Sequence, residues 1–347
     1  IYLINNIIVP LEEEADFRRE ALRALRCKGS DLLKVDIYRK SVDARKKENI
    51  RLNYTIAATL KEGVALRENA KYRLLMEDKP QFRPGMEPMK HRPVIIGLGP
   101  AGMFCGLMLA RAGYQPVILE QGAPMEERVA DVEAFWQEQR LDESSNIQFG
   151  EGGAGTFSDG KLNTQISDTF GRIRYVLQSF VKFGASEEIL YANKPHIGTD
   201  VLAVVIKNIR QHITALGGEV NFGSCLKKIE IKDGKVCGVV ISDKDGEYAR
   251  KCSKVCLAIG HSSRDTFEYL HSENIDMEPK PFAVGVRIEH PQEMINYNAY
   301  ADAAYELPAA DYKVTYKTKN TDKERGVYSF CMCPGGYVVN ALSLIHI

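Results

Sequence analysis

No apolar run in this sequence approaches the ~20 residues needed to cross a bilayer, and no signal peptide precedes the first predicted domain. Both absences lead to the expectation of a cytoplasmic protein without a membrane partner. Net charge is also missing, with 46 Lys and Arg against 46 Asp and Glu, which weighs against a chain built as a whole to coat nucleic acid. Tryptophan is reduced to Trp136, and no patch of stacking aromatics stands out for single strands. The eight cysteines include no Cys-x-x-Cys and the histidines form no cluster at zinc spacing, so no metal site is expected. Cys105 falls in a predicted helix, and Cys237, Cys252 and Cys256 fall in predicted strands, which suits reduced thiols better than a disulfide framework. There is no internal repeat.

What is present suggests several parts. Residues 1–78 have the order of a small α+β unit of ferredoxin-like type, with strands at "YLINNIIV", "LLKVDIYRK" and "IRLNYTIAATL". An amphipathic helix is expected from Glu12 to Cys27, and a short helix after the third strand. "RKSVDARKK" is expected as an exposed loop. Residues 79–92 are Pro-rich and aperiodic, hence a linker. Residues 1–92 carry 20 Lys and Arg against 14 Asp and Glu, an excess that the remainder offsets. Interleaved acids make this a solvated surface rather than a nucleic-acid site. Residues 93–165 and 194–275 form an α/β domain, and residues 166–193 with 276–347 a partial, β-rich substrate or cap domain. A helix over 199–216 would bury Val201, Val204, Val205, Ile209 and Ile213. The strands after it are joined by two "KDG" turns, and from "PKPFAVGVRIEHP" onward the pattern is strand-rich.

The chemistry concentrates in "VIIGLGPAGMFCGLMLARAGYQPVILEQG", residues 94–122. Gly97, Gly99 and Gly102 give G-x-G-x-x-G directly between an apolar strand and a helix, with Pro100 and Ala101 inside the turn. The first glycine permits the tight turn, the second lets backbone approach a pyrophosphate, and the third lets helix pack on strand. Glu120 ends the next strand about 20 residues on, followed by Gln121, where a carboxylate accepts both ribose hydroxyls and repels a 2′-phosphate. NADP is therefore disfavoured in this turn. A second glycine cluster, "FGEGGAGTFSDGKL", spans 149–162.

"VCLAIGHSS", closing the predicted three-stranded meander at Gly260, resembles the second FAD signature of glutathione-reductase-like flavoproteins. Together with "FGEGGAGTFSDGKL", "AIGHSSRDTF", "GVRIEHP" and "FCMCPGGYVVNA", the chain to about Ala341 resembles the bacterial family of NAD(FAD)-utilising dehydrogenases, or FAD-dependent proteins. The resemblance implies a Rossmann-like FAD-binding domain and an FAD-dependent oxidoreductase of unidentified small-molecule substrate, with two-electron transfer through the flavin. It also implies that the backbone at Leu226 meets the adenine, and that Gly152, Gly153, Gly155 and Lys161 border the pyrophosphate or isoalloxazine. Lys161 reads equally well as a surface ion-pair residue. No catalytic side chain is singled out.

No Cys-x4-Cys follows the fingerprint, against a redox-active disulfide of the glutathione reductase kind, and no second G-x-G-x-x-G occurs. NAD(P)H would then serve as a transient electron donor docking on the flavin. Cys331 and Cys333 are expected to be structural and His290 to end a strand; His261 reads as reaching a substrate or capping a helix, with Ser262, Ser263 or Asp265 as the plainer caps. Two rival functions stay open: a flavoprotein acting on tRNA, and a non-enzymatic FAD-binding sensor or scaffold. The chain begins at Ile1 and ends in "ALSLIHI" without a helix stop. Both ends read as clipped, with the flavin-ribitol wall expected beyond the last residue.

Overall fold

Alternation of apolar and polar residues builds the first sheet. In a computed structural model, β1 (Tyr2–Pro10) is followed by α1 (Phe17–Leu25), β2 (Leu32–Asp43), β3 (Arg51–Leu60) and β4 (Tyr72–Leu74). The structure describes residues 1–347 except 77–79, 81, 84, 87, 158–159, 163, 165, 306, 320–323, 330–331, 337 and 339–347. The strands pair antiparallel in the order β2-β3-β1-β4. Tyr2, Ile4, Ile7, Tyr54 and Ile56 pack with Ala21 and Leu25 of the helix in one buried cluster. The helix is shorter than its apolar spacing suggested. Asp16 accepts the Arg19 N–H at 2.9 Å and so caps it, leaving Glu12–Ala15 outside. The short helix expected after β3 is a turn and loop over 61–71. The loop expected at 39–47 is half strand, because β2 continues to Asp43 opposite Arg51.

The second unit starts at β5 (Val94–Ile96), with α2 (Pro100–Arg111), β6 (Val117–Leu119) and α3 (Met125–Glu138) after it. α4 (Arg172–Lys182) and α5 (Thr199–Ala215) precede β7 (Glu219–Asn221). A meander follows, β8 (Cys225–Lys232), β9 (Lys235–Asp243) and β10 (Gly246–Lys251), then β11 (Val255–Leu257) and α6 (Arg264–Ser272). The central sheet is parallel in the order β11-β5-β6-β7, and the meander forms its own antiparallel sheet.

Period two decides which layer each residue joins. Ile95 and Ile118 point to the helices and join Leu107, Val205, Ile209 and Ile213. Val94, Ile96, Val117 and Leu119 point the other way and meet Val239 and Ile241 of the meander. The sheet is thus a mixed α/β layer buried on both faces, which is why its strands are short continuous apolar runs. On α5 the buried stripe is Leu202, Val205, Ile206, Ile209 and Ile213, while Val204 is exposed. Between Asp243 and Gly246, and at Asp233-Gly234 with both φ positive, the two expected hairpin turns form.

Beyond α6 the strand-rich expectation fails over much of the described chain. Residues 278–290 carry no regular structure, although Phe282, Val284, Val286 and Ile288 alternate as a strand's apolar face would. All four are at least 70% exposed, so the pattern lacks a partner sheet among the described residues. α7 (Gln292–Tyr300) is a helix the sequence reading missed, and among the described residues the strands here are β12 (Thr315–Lys317) and β13 (Gly326–Tyr328). His290 contacts the Tyr312 hydroxyl at 3.0 Å, outside any strand. Cys331 lies outside the described residues.

The N-terminal sheet docks through its edge. The Lys40 N–H donates to the Tyr191 carbonyl at 2.7 Å, and the Asn193 N–H to the Lys40 carbonyl at 2.8 Å. Arg174 of α4 lies over the Tyr38 ring, 5.1 Å from its centroid.

Glu219 ties the last parallel strand to its surroundings. Arg250 donates to both its oxygens at 2.8 Å, Asn221 to one at 3.0 Å, and Arg92 to the other at 3.0 Å. The Arg250 hydrogen bonds, with Asn221 and the charge of Arg92, hold its carboxyl down at about 2. A depressed carboxyl stabilises the fold above its unfolded value of 4.5, and that stability is lost as pH falls through the folded value. Urea titrations between pH 6 and pH 2 should therefore show a loss that Glu219→Gln makes shallower, by on the order of 1 kcal/mol after solvent screening. Identical pH slopes for the two proteins would contradict the assignment.

Candidate functional site

At the carboxyl ends of β5 and β6 the chain leaves the sheet through glycine turns, and a cavity of about 630 Å³ opens between them. Ligands of open α/β sheets bind at this kind of position. Gly97 has φ +96°, and a Cβ there would lie 2.5 Å from the Ala258 carbonyl oxygen. A Cβ on Gly102 would lie 1.9 Å from the Gly97 carbonyl oxygen. Both glycines are needed by the turn itself. A Cβ on Gly99, in contrast, would meet only the Gly153 Cα, at 3.8 Å. Gly99 also serves as N-cap of α2 with no side chain on the helix's first N–H groups.

Glu120 is buried, and its carboxylate is engaged by backbone. Oε2 accepts the Leu98 N–H at 2.7 Å, and Oε1 accepts the N–H groups of Gly122 and Gly150 at 3.0 Å each. One side chain therefore fixes the fingerprint turn, the exit of β6 and the start of the second glycine loop. It still lines the cavity.

That loop is anchored from behind by Arg128 of α3, which is fully buried. Its Nε donates to the Asn146 carbonyl at 3.0 Å and Nη2 to the Ile147 carbonyl at 3.1 Å, while Nη1 donates to the Glu151 carbonyl. The Phe157 ring lies 5.0 Å from the guanidinium. Burial pulls the Arg128 pKa down to about 10, opposed by the charges of Glu120 and Glu151, so the side chain stays cationic at neutral pH. Glu151, also fully buried, accepts the Met125 N–H at 2.7 Å and Arg210 Nε at 2.8 Å. Burial pushes its carboxyl upward against those hydrogen bonds.

Of the residues singled out in the sequence, Gly97, Gly99, Pro100, Ala101, Glu120, Gln121, Gly153, Gly155, Leu226 and Gly260 line this one cavity. Gly102, Gly152 and Lys161 do not. Gly152 backs onto Thr156 and Ile206, and Lys161 forms an isolated bridge with His196. The sequence reading missed Gln148, Ser224, Cys225 and, on α6, Asp265, Thr266 and Phe267, all in the lining. Ser263 caps nothing with its side chain, which donates to the Ile259 carbonyl at 2.9 Å instead. Ser262 donates to Gln148 Oε1 at 3.1 Å and so bridges the glycine loop to the turn before α6. Arg128 gave no signal, because one arginine in a charged helix reads as solvent-facing.

Among the described residues the lining contains two carboxylates, Glu120 and Asp265, and no Lys or Arg. Burial pushes the Cys225 thiol pKa upward; of its charged neighbours Lys227 opposes the shift, while Asp265 and Glu120 add to it. A bound phosphate must accordingly be met by backbone N–H groups and helix dipoles. Among the described residues no group of three or more His, Cys, Asp or Glu is placed to hold a metal ion. None of their helices is long and apolar enough to cross a membrane.

Residues 281–345 match the family model "FAD-dependent protein, C-terminal domain-like", and residues 2–59 match a domain of unknown function, DUF8436. An uncharacterized protein of Clostridium beijerinckii is 46% identical over 347 residues, covering 98% of this chain. The chain spans 64% of that relative's length. Among solved structures, Thermovibrio ammonificans THI4 is similar at 18% identity and TM-score 0.37, over 54% of this chain and 63% of that one. L-amino acid deaminase from Proteus vulgaris follows at 14% and 0.35, over 57% and 60%. The 3-ketosteroid-delta4-(5alpha)-dehydrogenase of Rhodococcus jostii RHA1 gives 15% and 0.34, over 56% and 51%.

Arg128→Met keeps the bulk but leaves the carbonyls of Asn146, Ile147 and Glu151 without their donor. Breaking such a buried charge network should cost about 3–5 kcal/mol, read as a lower urea midpoint. Proteolytic cutting within 142–157 should appear in the variant first. A variant as stable as the parent would show that the loop does not rely on this arginine.

Proposed function

We propose that this chain carries the dinucleotide-binding part of an FAD-dependent oxidoreductase, with a Rossmann-like domain arranged as in glutathione-reductase-like flavoproteins. The observation that carries the reading is the convergence of the α2 N-terminus, Glu120 and the 150–155 loop on one cavity at the carboxyl end of a parallel sheet. The match of residues 281–345 to an FAD-dependent protein model supports the same reading.

The residues present fit the cofactor. The open side of Gly99 and the uncapped N–H groups of α2 suit a diphosphate, whose charge the helix dipole offsets. Glu120 Oε2 accepts one hydrogen bond in the structure and keeps a lone pair for a ribose hydroxyl. Leu226 closes the wall where the adenine would lie. The same carboxylate repels a 2′-phosphate, and a described lining without Lys or Arg disfavours triphosphates. Bound FAD supplies two-electron redox chemistry. The chain's own part is to hold the adenosine diphosphate end and to exclude water along the Ser262–Gln148 bridge. NAD(P)H as transient electron donor and a small-molecule substrate belong to the same proposal.

Titrating FAD against the chain by flavin fluorescence tests it, with ADP and FMN as competitors. FAD should bind, ADP should displace it, and FMN, which lacks the adenosine, should compete at least tenfold less well. Gly99→Val fills space the diphosphate needs while meeting only Gly153, so it should abolish binding and leave thermal stability within a few degrees of the parent. FMN competing as well as ADP, or a Gly99→Val protein that binds FAD normally, would refute the site assignment.

A further inference from the structure

A second concavity, of about 430 Å³, lies on the N-terminal sheet, far in sequence from the nucleotide turn. It is lined by Asn5, Asn6, Arg39, Ser41, Asn53 and Thr55, with Ala70 at the rim. Register explains the grouping. Arg39 pairs with Thr55 and Ser41 with Asn53 across β2 and β3. On the other side of β3 the ladder shifts between Ile4 and Ile7, so Asn5 and Asn6 bulge beside Thr55. Asn6 sits at φ +58°, a left-handed conformation that asparagine tolerates better than most residues. Bulges of this kind re-aim side chains and are enriched beside binding sites.

The chemistry of the lining is unusual for a solvated sheet face, where Lys and Glu alternate. Among the described residues it holds one guanidinium, three carboxamides and two hydroxyls, with no carboxylate and no lysine. Much of this hydrogen-bonding capacity is unused among the described residues. Asn5 Oδ1 accepts from the Thr55 hydroxyl at 3.3 Å, but the side chains of Asn6 and Asn53 have no partner there. Arg39 donates through Nε and Nη2 to the same oxygen, Asn193 Oδ1, which leaves Nη1 and its two protons. That contact also fixes the guanidinium in place at the edge where Lys40 pairs with Ala192.

We propose that this concavity binds an oxyanion, the carboxylate or phosphate of a small hydroxylated molecule. Arg39 would meet the charge and Asn5, Asn6, Asn53 and Ser41 the hydroxyls. A single fixed guanidinium suits a planar or tetrahedral oxyanion, and neutral amides offer both donors and acceptors to the rest of the ligand. The site is independent of the nucleotide cavity and does not rest on the flavin reading.

Titration calorimetry of the full chain with inorganic phosphate, citrate and ribose 5-phosphate tests it and separates the two oxyanion sources. At least one probe should bind. Arg39→Gln should weaken that binding about tenfold or more, as expected for loss of a charge-assisted hydrogen bond. Asn6→Gly keeps the bulge's backbone and removes only the amide, and should weaken it several-fold. Gly99→Val blocks the nucleotide turn and should bind the same probe within about threefold of the parent. No heat from any probe at about 10 mM, or unchanged binding by Arg39→Gln, would overturn the proposal. So would binding lost in Gly99→Val and kept in Arg39→Gln, because the anion would then occupy the nucleotide cavity.

Discussion

Three backbone N–H groups, from Leu98, Gly122 and Gly150, meet on the carboxylate of Glu120. They come from segments that share no strand. A buried donor left without a partner costs about 1–3 kcal/mol, so the three loops are worth more together than apart. The short strands β5 and β6 bring the pieces within reach, but the carboxylate holds them at the separation that makes a cavity. A residue type read in the sequence as a ligand contact is first of all the fastener of the pocket.

Behind this fastener stands a second layer of charge. Arg128 and Glu151 are both fully buried; the arginine is satisfied mostly by backbone carbonyls, the glutamate by the first N–H of α3 and by Arg210. Arg210 then links Glu151 to Glu126 on the surface of α3. The glycine loop therefore has little apolar packing of its own and is held as a polar network. Such a network fixes geometry more sharply than an apolar core, at the cost of tolerating few substitutions. A Cβ on Gly150 would lie 2.4 Å from the Arg128 side chain, so even the glycine content of the loop is set partly by its anchor.

The parallel sheet, its meander and the fingerprint were legible because each follows from a local rule: period two, glycine at a forced turn, an acid at a strand end. Ten of the thirteen residues singled out do line one cavity. Arg128, Glu151 and the Ser262–Gln148 bridge were illegible because their meaning comes from burial across long sequence separations, which no periodicity records. Lys161, read as either a flavin neighbour or a surface ion-pair residue, lies outside the described lining, where its backbone bridges to that of His196. Residues 282–288 show an error of another kind. The alternation is real, but a strand exists only where another strand accepts its hydrogen bonds, and none does among the described residues.

The described lining of the cavity carries no lysine or arginine, so a ligand's charge would meet dipoles carried by the main chain. Every residue but proline supplies such an N–H whatever its side chain. Recognition of that kind tolerates exchange of side chains along the turn and fails when the path of the turn shifts. Its specification lies in backbone shape, which glycine positions record and charged residues do not.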